Sequence, residues 1–148
     1  MREPAGPAEP AGAGPEGPEA GDPRAARIRE ARLRGQPWVV VEEQQEGDGF
    51  RRVEMHVWAG VAVEYGCLRD PEGRPVYYTE SRFLNRDTGR ELPCGSRKWN
   101  VLRVGSRAEL EEAVRRAKED AEARFAGLIH AARRAWEAAR QAREGRAG

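Results

Sequence analysis

The sequence predicts an α+β protein: an antiparallel sheet of about five strands followed by one long C-terminal helix, behind a disordered N-terminal tail. Three observations indicate this class. Apolar side chains occupy every odd position from 53 to 67, which is the period of a β-strand. After Ser106, apolar residues recur at alternating spacings of three and four, which is the period of one helix face. Residues 1–23 offer no large apolar side chain after Met1, so they cannot build a core.

The first 36 residues divide into a tail and an arginine-rich segment. Residues 1–23 hold six Pro and five Gly, with one Arg against five acids, and we expect them to be disordered. Residues 24–36 carry five Arg and a single acid, Glu30, and the pattern predicts a short helix that ends at Gly35. This segment is either an arm that contacts phosphate or a solvated helical lead-in. A single domain is expected over residues 37–148.

Strands and turns alternate from residue 37 onward. β-branched and aromatic residues predict strands at 38–41, on both sides of Gly60, at 76–84 and at 97–104. Gly60 marks either a hairpin or a bend in one long strand, and a hairpin is favoured because a strand of about 15 residues is unusual. The segment 70–73, Asp-Pro-Glu-Gly, predicts a turn, since proline presets φ and glycine accepts a positive φ.

The C-terminal third predicts a helix. Ser106 and Glu109 form a capping box at its start, and its apolar stripe continues almost to the end of the chain. A helix from 106 to 143 would be roughly 55 Å long, whereas a strand of seven residues spans only about 23 Å. Either Gly127 breaks the helix, or its distal half packs on a partner helix, which a second copy of the chain could provide. The candidate interface residues are Leu128, Ile129, Ala132 and Trp136.

Composition argues against a membrane protein and against a disulfide framework. Charged residues make up 34% of the chain, and the mean hydropathy is −0.84. The most apolar stretch, 57–63, is far shorter than the roughly 20 residues of a membrane span. No secretory signal is recognisable, and Cys67 and Cys94 are expected to be free thiols. A cytoplasmic protein that does not contact membranes is therefore expected.

No catalytic residue, metal ligand or cofactor site is predicted. The soft metal ligands Cys67, Cys94, His56 and His130 are widely separated, without the close pair that metal sites usually contain. The sequence also has no Gly-rich phosphate loop, nucleophile elbow or spaced carboxylate pair. These observations favour a protein that is not an enzyme.

Arginines and tryptophans are predicted to share one face of the sheet. If the odd residues of 53–57 face the core, the even residues face outward, and the same rule applies to the last strand when Leu102 and Val104 are core. The facing of Arg82 stays open, because its strand has apolar residues at both parities. The candidate nucleic-acid-binding residues are Arg52, His56, Trp58, Arg82, Arg97, Trp99 and Arg103.

Two functions follow from this predicted face. Arginines interleaved with tryptophans suit phosphates and unstacked bases, which favours a non-enzymatic binding module for single-stranded or structured nucleic acid. The same residue types are enriched in protein interfaces, and the alternative is a protein-interaction or homodimerisation module that uses the sheet face and the distal helix.

Overall fold

The computed structural model describes residues 21–93, 98–101 and 105–147, and only the backbone of 98–101 and of 146–147. The tail predicted to be disordered falls almost wholly outside this part of the chain, as do Cys94, Arg97 and Arg103. The elements are α1 (Pro23–Arg34), β1 (Trp38–Glu46), β2 (Gly49–His56), β3 (Val61–Arg69), β4 (Pro75–Phe83), β5 (Lys98–Val101), α2 (Arg107–Arg124) and α3 (Ala126–Ala147).

The strands form one antiparallel sheet in which each strand pairs with its neighbour in chain order. Four strands have eight or nine residues, and the four-residue β5 pairs along β4. The α+β class is therefore confirmed, but the predicted five strands correspond to four full-length strands and one short edge strand. The single long C-terminal helix was wrong, because two helices occupy that region.

The hairpin at Gly60 is present. It places the odd-numbered residues of β3 on the opposite sheet face from the odd-numbered residues of β2. Four residues, 57–60, join β2 to β3, and Met55 pairs with Ala62. Because the loop has an even length, each odd position of β2 lies opposite an even position of β3. The apolar odd residues of the two strands therefore lie on opposite faces of the sheet.

Both faces of the sheet are consequently covered. On one face Ile28 of α1 packs with Val53 and Met55 of β2. On the other face Leu110 of α2 packs with Val63 of β3. The expectation of one packed face and one open face was wrong, since each face carries an apolar row that a helix shields from water.

Local sequence signals set the helix ends. Asp22 Oδ1 accepts the backbone N–H of Arg24 at 2.9 Å at the start of α1, and Gly35, with φ of 75°, ends that helix. Ser106 Oγ accepts the backbone N–H of Glu109 at 3.2 Å, and Glu109 Oε1 accepts that of Gly105 at 2.8 Å. The predicted capping box is present, with its glutamate bonded one residue before the cap.

The C-terminal helical region bends at Phe125 rather than at Gly127. Phe125 has φ of −108° and ψ of 22°, outside the helical range, while its N–H still donates to the carbonyl of Ala121. Its ring packs edge-to-face on Phe83, with centroids 5.9 Å apart. The bend turns α3 toward the end of the sheet, so the distal apolar stripe reaches the core of its own chain. None of the helices in the described residues is long and apolar enough to cross a membrane.

Candidate functional site

A cleft of about 710 Å³ opens between the C-terminal end of α1, the turn after β2, and α3. It brings together residues that the sequence assigned to two separate sites. His56 and Trp58 come from the predicted nucleic-acid set, whereas Ile129 and Trp136 come from the predicted interface set. The bend at Phe125 creates this arrangement, because it lays α3 across the turn that holds Trp58.

Two tryptophans form the apolar wall of the cleft. Trp58 is only 7% exposed and packs edge-on to Trp136, with ring centroids 5.5 Å apart. The guanidinium groups of Arg32 and Arg133 lie 4.9 and 6.0 Å from the Trp58 centroid. Trp58 is therefore already enclosed by its own chain. Trp136 is half-buried, and it is the tryptophan that a bound molecule could contact.

A carboxylate and a histidine lie on the sheet side of the cleft. Glu122 Oε2 accepts the Trp38 Nε1–H at 2.8 Å and lies 3.9 Å from His56 Nε2. His56 Nδ1 accepts the backbone N–H of Trp58 at 3.3 Å, so the neutral ring carries its proton on Nε2. The Nδ1 lone pair is thus occupied and Nε2 carries the proton, so His56 has no free lone pair with which to act as a base.

Burial controls the ionisation of this histidine. His56 is 2% exposed, and its burial lowers the pKa of the imidazole. The Glu122 carboxylate opposes the shift, and the positive charge of Arg133 adds to it. The pKa of His56 therefore lies below its usual value, and the ring is neutral at physiological pH.

Arginines without a carboxylate partner lie in the cleft and in the hollow beside it. Arg133 and Arg134 line it, and neither forms an ion pair with a described residue. A second hollow of about 410 Å³, between α1, the loop 85–88 and Trp136, adds Arg29 to the same side of the molecule. Within the described residues, the arginines with no ion pair to a carboxylate are Arg27, Arg29, Arg86, Arg133, Arg134 and Arg143, all on α1, the loop 85–90 or α3.

In the sheet and in α2, the described cations are instead paired with carboxylates. On β2, β3, β4 and α2, and in the turn that joins β3 to β4, every described lysine or arginine lies within 4.0 Å of a carboxylate. These cations are Arg51, Arg52, Arg69, Arg74, Arg82, Arg107, Arg115, Arg116, Lys118 and Arg124. Among the described residues, the arginines without a carboxylate partner are thus confined to the side that carries the cleft.

The described members of the predicted nucleic-acid set are not on one exposed face. His56 and Trp58 were expected to face outward, and both are buried: Trp58 packs in the core cluster against Trp136 of α3, and His56 lies near Glu122 on the face that α2 covers. Arg52 shares that face and pairs with Glu43 at 2.7 Å and with Glu54 at 3.3 Å. Their predicted exposure was wrong for His56 and Trp58, and their predicted role in binding stays a prediction.

Arg82 lies on the opposite face, the one that α1 partly covers. It is 5% exposed and pairs with Glu42 at 2.8 Å and with Glu64 at 3.6 Å. The backbone of Trp99 lies opposite Glu80 in the register of β4 and β5, in the same cross-strand row as Glu64. The structure therefore separates Arg82 from the face that carries Arg52 and His56.

Three of the four predicted interface residues pack against the core of their own chain. Ile129, Ala132 and Trp136 pack against the core cluster that contains Trp58, whereas Leu128 is 45% exposed. A partner helix is not needed to cover these three residues, because the bend at Phe125 brings them onto the core of their own chain. Self-association stays a prediction.

Sequence reasoning missed the residues that give the cleft its charge. Glu122, Arg133 and Arg134 were not among the candidate residues, although the region predicted as one C-terminal helix is acidic in its first half and basic in its second. The relevant signal was the change of sign along that helix, which coincides with the bend at Phe125. The arginine excess of 24–34 pointed to the same side of the molecule, but only the tertiary fold shows that α1 and α3 are adjacent.

Metal coordination finds no support in the described part of the chain, where no three His, Cys, Asp or Glu side chains are grouped as metal ligands would be. Cys67 is buried and free. The fold and the cleft together define a small α+β protein with an arginine-rich, tryptophan-walled cleft. Comparison with protein-family models finds no family that matches the chain, and comparisons with curated proteins and with solved structures find no significant match.

Proposed function

We propose that this chain is a non-enzymatic binding module for single-stranded or structured nucleic acid. The proposed contact surface is the basic side formed by α1, the loop 85–90 and α3. The observation that carries the proposal is that, among the described residues, every arginine without a carboxylate partner lies on this side. Guanidinium groups that the chain does not neutralise are available to phosphates, and their planar donors match phosphate oxygens.

The charge distribution supports the same surface. The formal charges of α1, the loop 85–90 and α3 are +4, +1 and +3, together +8, whereas the whole chain carries only +1. The remainder of the chain is therefore net acidic. A basic side on a nearly neutral chain attracts a polyanion in one orientation, and clustering on one side matters more for this than overall pI.

The proposed surface differs from the sheet face that the sequence suggested. Helices cover much of both sheet faces, and Arg52 and Arg82 are held by carboxylates. A phosphate would have to displace these ion pairs before it could bind there. The arginines of α1 and α3 that have no carboxylate partner require no such displacement, and they project from helices whose inner faces are already packed.

The test is binding of a fluorescently labelled single-stranded oligonucleotide by anisotropy, over a series of salt concentrations. The double variant Arg133→Ala/Arg134→Ala removes two unpaired arginines from α3. We expect its affinity at low salt to fall about tenfold, and the slope of log K against log salt to decrease by about 1.4, because each phosphate contact to a single strand contributes about 0.7.

The matched control is Arg115→Ala/Arg116→Ala, which removes the same charge from the solvent side of α2, where both arginines are paired. Its affinity and salt slope should stay close to those of the wild type. Equal losses in the two double variants would mean that net charge alone governs binding. No measurable affinity of the wild type at low salt would contradict the proposal.

The alternative function is a protein-interaction or homodimerisation module. One observation favours it, namely that Leu128 on α3 is 45% exposed beside the packed stripe. The clean probe is Leu128→Gln, since Ile129 and Trp136 pack on the core and their replacement by polar residues would also lower the stability of the fold. Sedimentation equilibrium at high protein concentration should show a dimer that this variant dissociates. A monomeric wild type would remove the alternative.

A further inference from the structure

We infer that the acidic segment 1–20 of this chain docks on its own basic side, formed by α1, the loop 85–90 and α3, and competes there with nucleic acid. The competition rests on the proposed function and adds its regulation. Three observations carry it: the charge of the segment, the place where it joins the described structure, and the arginines that lie within its reach.

The segment 1–20 and the basic side have opposite charges. Residues 1–20 contain four Glu and a single Arg, and they offer no large apolar side chain after Met1. Their carboxylates are therefore the groups through which this segment can bind another surface. The basic side has a formal charge of +8, and among the described residues it holds every arginine that lacks a carboxylate partner. Attraction between the two is strongest at low salt.

The described chain begins on the basic side. Asp22, the N-cap of α1, pairs with Arg90 of the loop 85–90 at 3.1 Å, and the Asp22 side chain is only 7% exposed. One carboxylate just before α1 thus already pairs with an arginine of this surface. The segment 1–20 ends two positions before Asp22, so it joins the fold at the basic side and not at the face that α2 covers.

Arginines without a carboxylate partner lie close to this junction. Ala25, Arg29 and Trp136 line the hollow of about 410 Å³ beside α1. The cleft that holds Arg133 and Arg134 opens at the C-terminal end of α1, a helix about 18 Å long. Twenty residues span up to about 66 Å when extended, and about 25 Å as a coil. Glutamates of the segment can therefore reach both groups of arginines.

Attachment to the fold favours this docking, whereas exposure to solvent keeps it weak. A short linker holds a segment at an effective concentration in the millimolar range. Each exposed carboxylate–guanidinium pair contributes little, because water and salt screen it. Four glutamates can occupy at most four of the six described arginines without partners, so a longer polyanion displaces the segment. The segment should therefore lower the affinity for nucleic acid without abolishing it.

The decisive variant keeps the full chain and replaces the four glutamates of the segment with glutamine: Glu3→Gln/Glu9→Gln/Glu16→Gln/Glu19→Gln. Its affinity for a labelled single-stranded oligonucleotide at low salt should be about threefold to tenfold higher than that of the wild type. Its slope of log K against log salt should be steeper, because phosphates then displace small ions rather than the segment. The two affinities should converge at high salt, where the segment is screened from the arginines.

The matched control removes four charges from exposed carboxylates outside the basic side. Where one of these carboxylates pairs with an arginine, that arginine keeps a second carboxylate. The control is Glu43→Gln/Glu46→Gln/Glu72→Gln/Glu119→Gln. Its net charge equals that of the decisive variant, yet its gain in affinity should be far smaller. Equal gains in the two variants would overturn the inference, since net charge alone would then explain them.

NMR observes the docking without nucleic acid. The Nε–H signals of Arg29, Arg133 and Arg134 should differ at low salt between the wild type and the decisive variant, and this difference should vanish at high salt. The signals of Arg115 and Arg116, which pair with carboxylates on α2, should coincide in the two proteins. Coincident signals for all five arginines would overturn the docking.

The outcomes distinguish failure of this inference from failure of the proposed function. Salt-sensitive oligonucleotide binding with equal affinity in the wild type and the decisive variant would overturn the competition and leave the proposed function intact. Docking seen by NMR, with no oligonucleotide binding by either protein at low salt, would contradict the proposed function and the competition with it. Thermal melts verify that both variants fold.

Discussion

The two C-terminal helices, α2 and α3, are separated by a single residue. They differ in whether their cations form ion pairs with carboxylates. Each described cation of α2 lies beside a carboxylate, either on the same helix or, for Lys118, on the sheet. On α3 only Arg140 does so among the described arginines, whereas Arg133, Arg134 and Arg143 do not. Helix α2 therefore serves mainly to cover the sheet, whereas α3 presents arginines that no described carboxylate neutralises.

This difference shows that the α2 and α3 surfaces are distinguished by whether their arginines pair with carboxylates, and not by the number of arginines. Helix α2 has four Arg and one Lys, about as many cations as α3, so a count would not separate them. An ion pair within the chain competes with a phosphate for the same guanidinium. The contrast between the two helices is testable, and the expected effects range from several kcal/mol to almost nothing.

The largest effect should come from the packing of α2. Leu110 is fully buried between α2 and the sheet, so Leu110→Ala should lower the free energy of unfolding by about 2–5 kcal/mol. The same substitution on α3, Leu128→Ala, should change it by no more than about 0.5 kcal/mol, because Leu128 is exposed. Urea denaturation measures both. Similar losses of unfolding free energy in the two variants would contradict the proposed difference between α2 and α3.

A smaller effect should come from the cation of α2 that faces the sheet. Lys118 Nζ lies 2.8 Å from Oε1 of Glu54, which is 8% exposed. Lys118→Met leaves this buried carboxylate with fewer partners, and we expect a loss of about 1–3 kcal/mol in the free energy of unfolding at pH 7. Arg134→Met on α3 is the control and should be near neutral in the same denaturation experiment.

The pH dependence of that loss sharpens the prediction. Burial by itself raises the pKa of Glu54, but hydrogen bonds from Lys118 and Tyr65 and the charges of Lys118 and Arg52 hold it below its usual value. Glu54 therefore stabilises the fold above its unfolded-state pKa, and this contribution is lost as pH falls through the folded-state pKa. The gap between wild type and Lys118→Met should be widest near pH 7 and narrow below pH 4.5. A constant gap would contradict the assignment to Glu54.

A third prediction concerns an unpaired arginine of α3 and the buried histidine. Burial lowers the pKa of His56 and Arg133 lowers it further, so Arg133→Ala should raise it toward 6.5. Arg134→Ala should leave it unchanged, and NMR titration of the imidazole measures both. Because the unfolded chain binds this proton more readily, the wild type should lose stability as pH falls below 6.5, and Arg133→Ala should lose less. A rise of the same size in both variants would mean that overall charge, and not Arg133, shifts His56.

The smallest effect should come from the paired cations on the outer side of α2. Arg115 lies beside Glu112 and Glu119, all three exposed to solvent. Arg115→Ala should change the free energy of unfolding by less than about 1 kcal/mol, because solvent screens exposed ion pairs. Oligonucleotide affinity should also be unchanged. A marked loss of affinity would show that an arginine paired with a carboxylate of its own chain can still bind phosphate, which would contradict the prediction.

Much of the secondary structure could be predicted, because its signals are local. The cap at Ser106, the left-handed Gly35 and the turn at Gly73, with φ of 83°, each depend on atoms within a few residues. The candidate site could be predicted only in part. His56, Trp58, Ile129 and Trp136 were singled out, but they were assigned to two sites when they line one cleft.

The sequence by itself determined the α+β class, the strand and helix periods, and the excess of arginine in α1 and α3. Only the tertiary structure decided which sheet face each residue joins, because an even loop of four residues inverts the parity between β2 and β3. It also decided that α3 bends at Phe125 onto Trp58, and which arginines have partners. Periodicity and capping act within one or two turns of chain, whereas register, helix docking and charge pairing depend on atoms far apart in sequence.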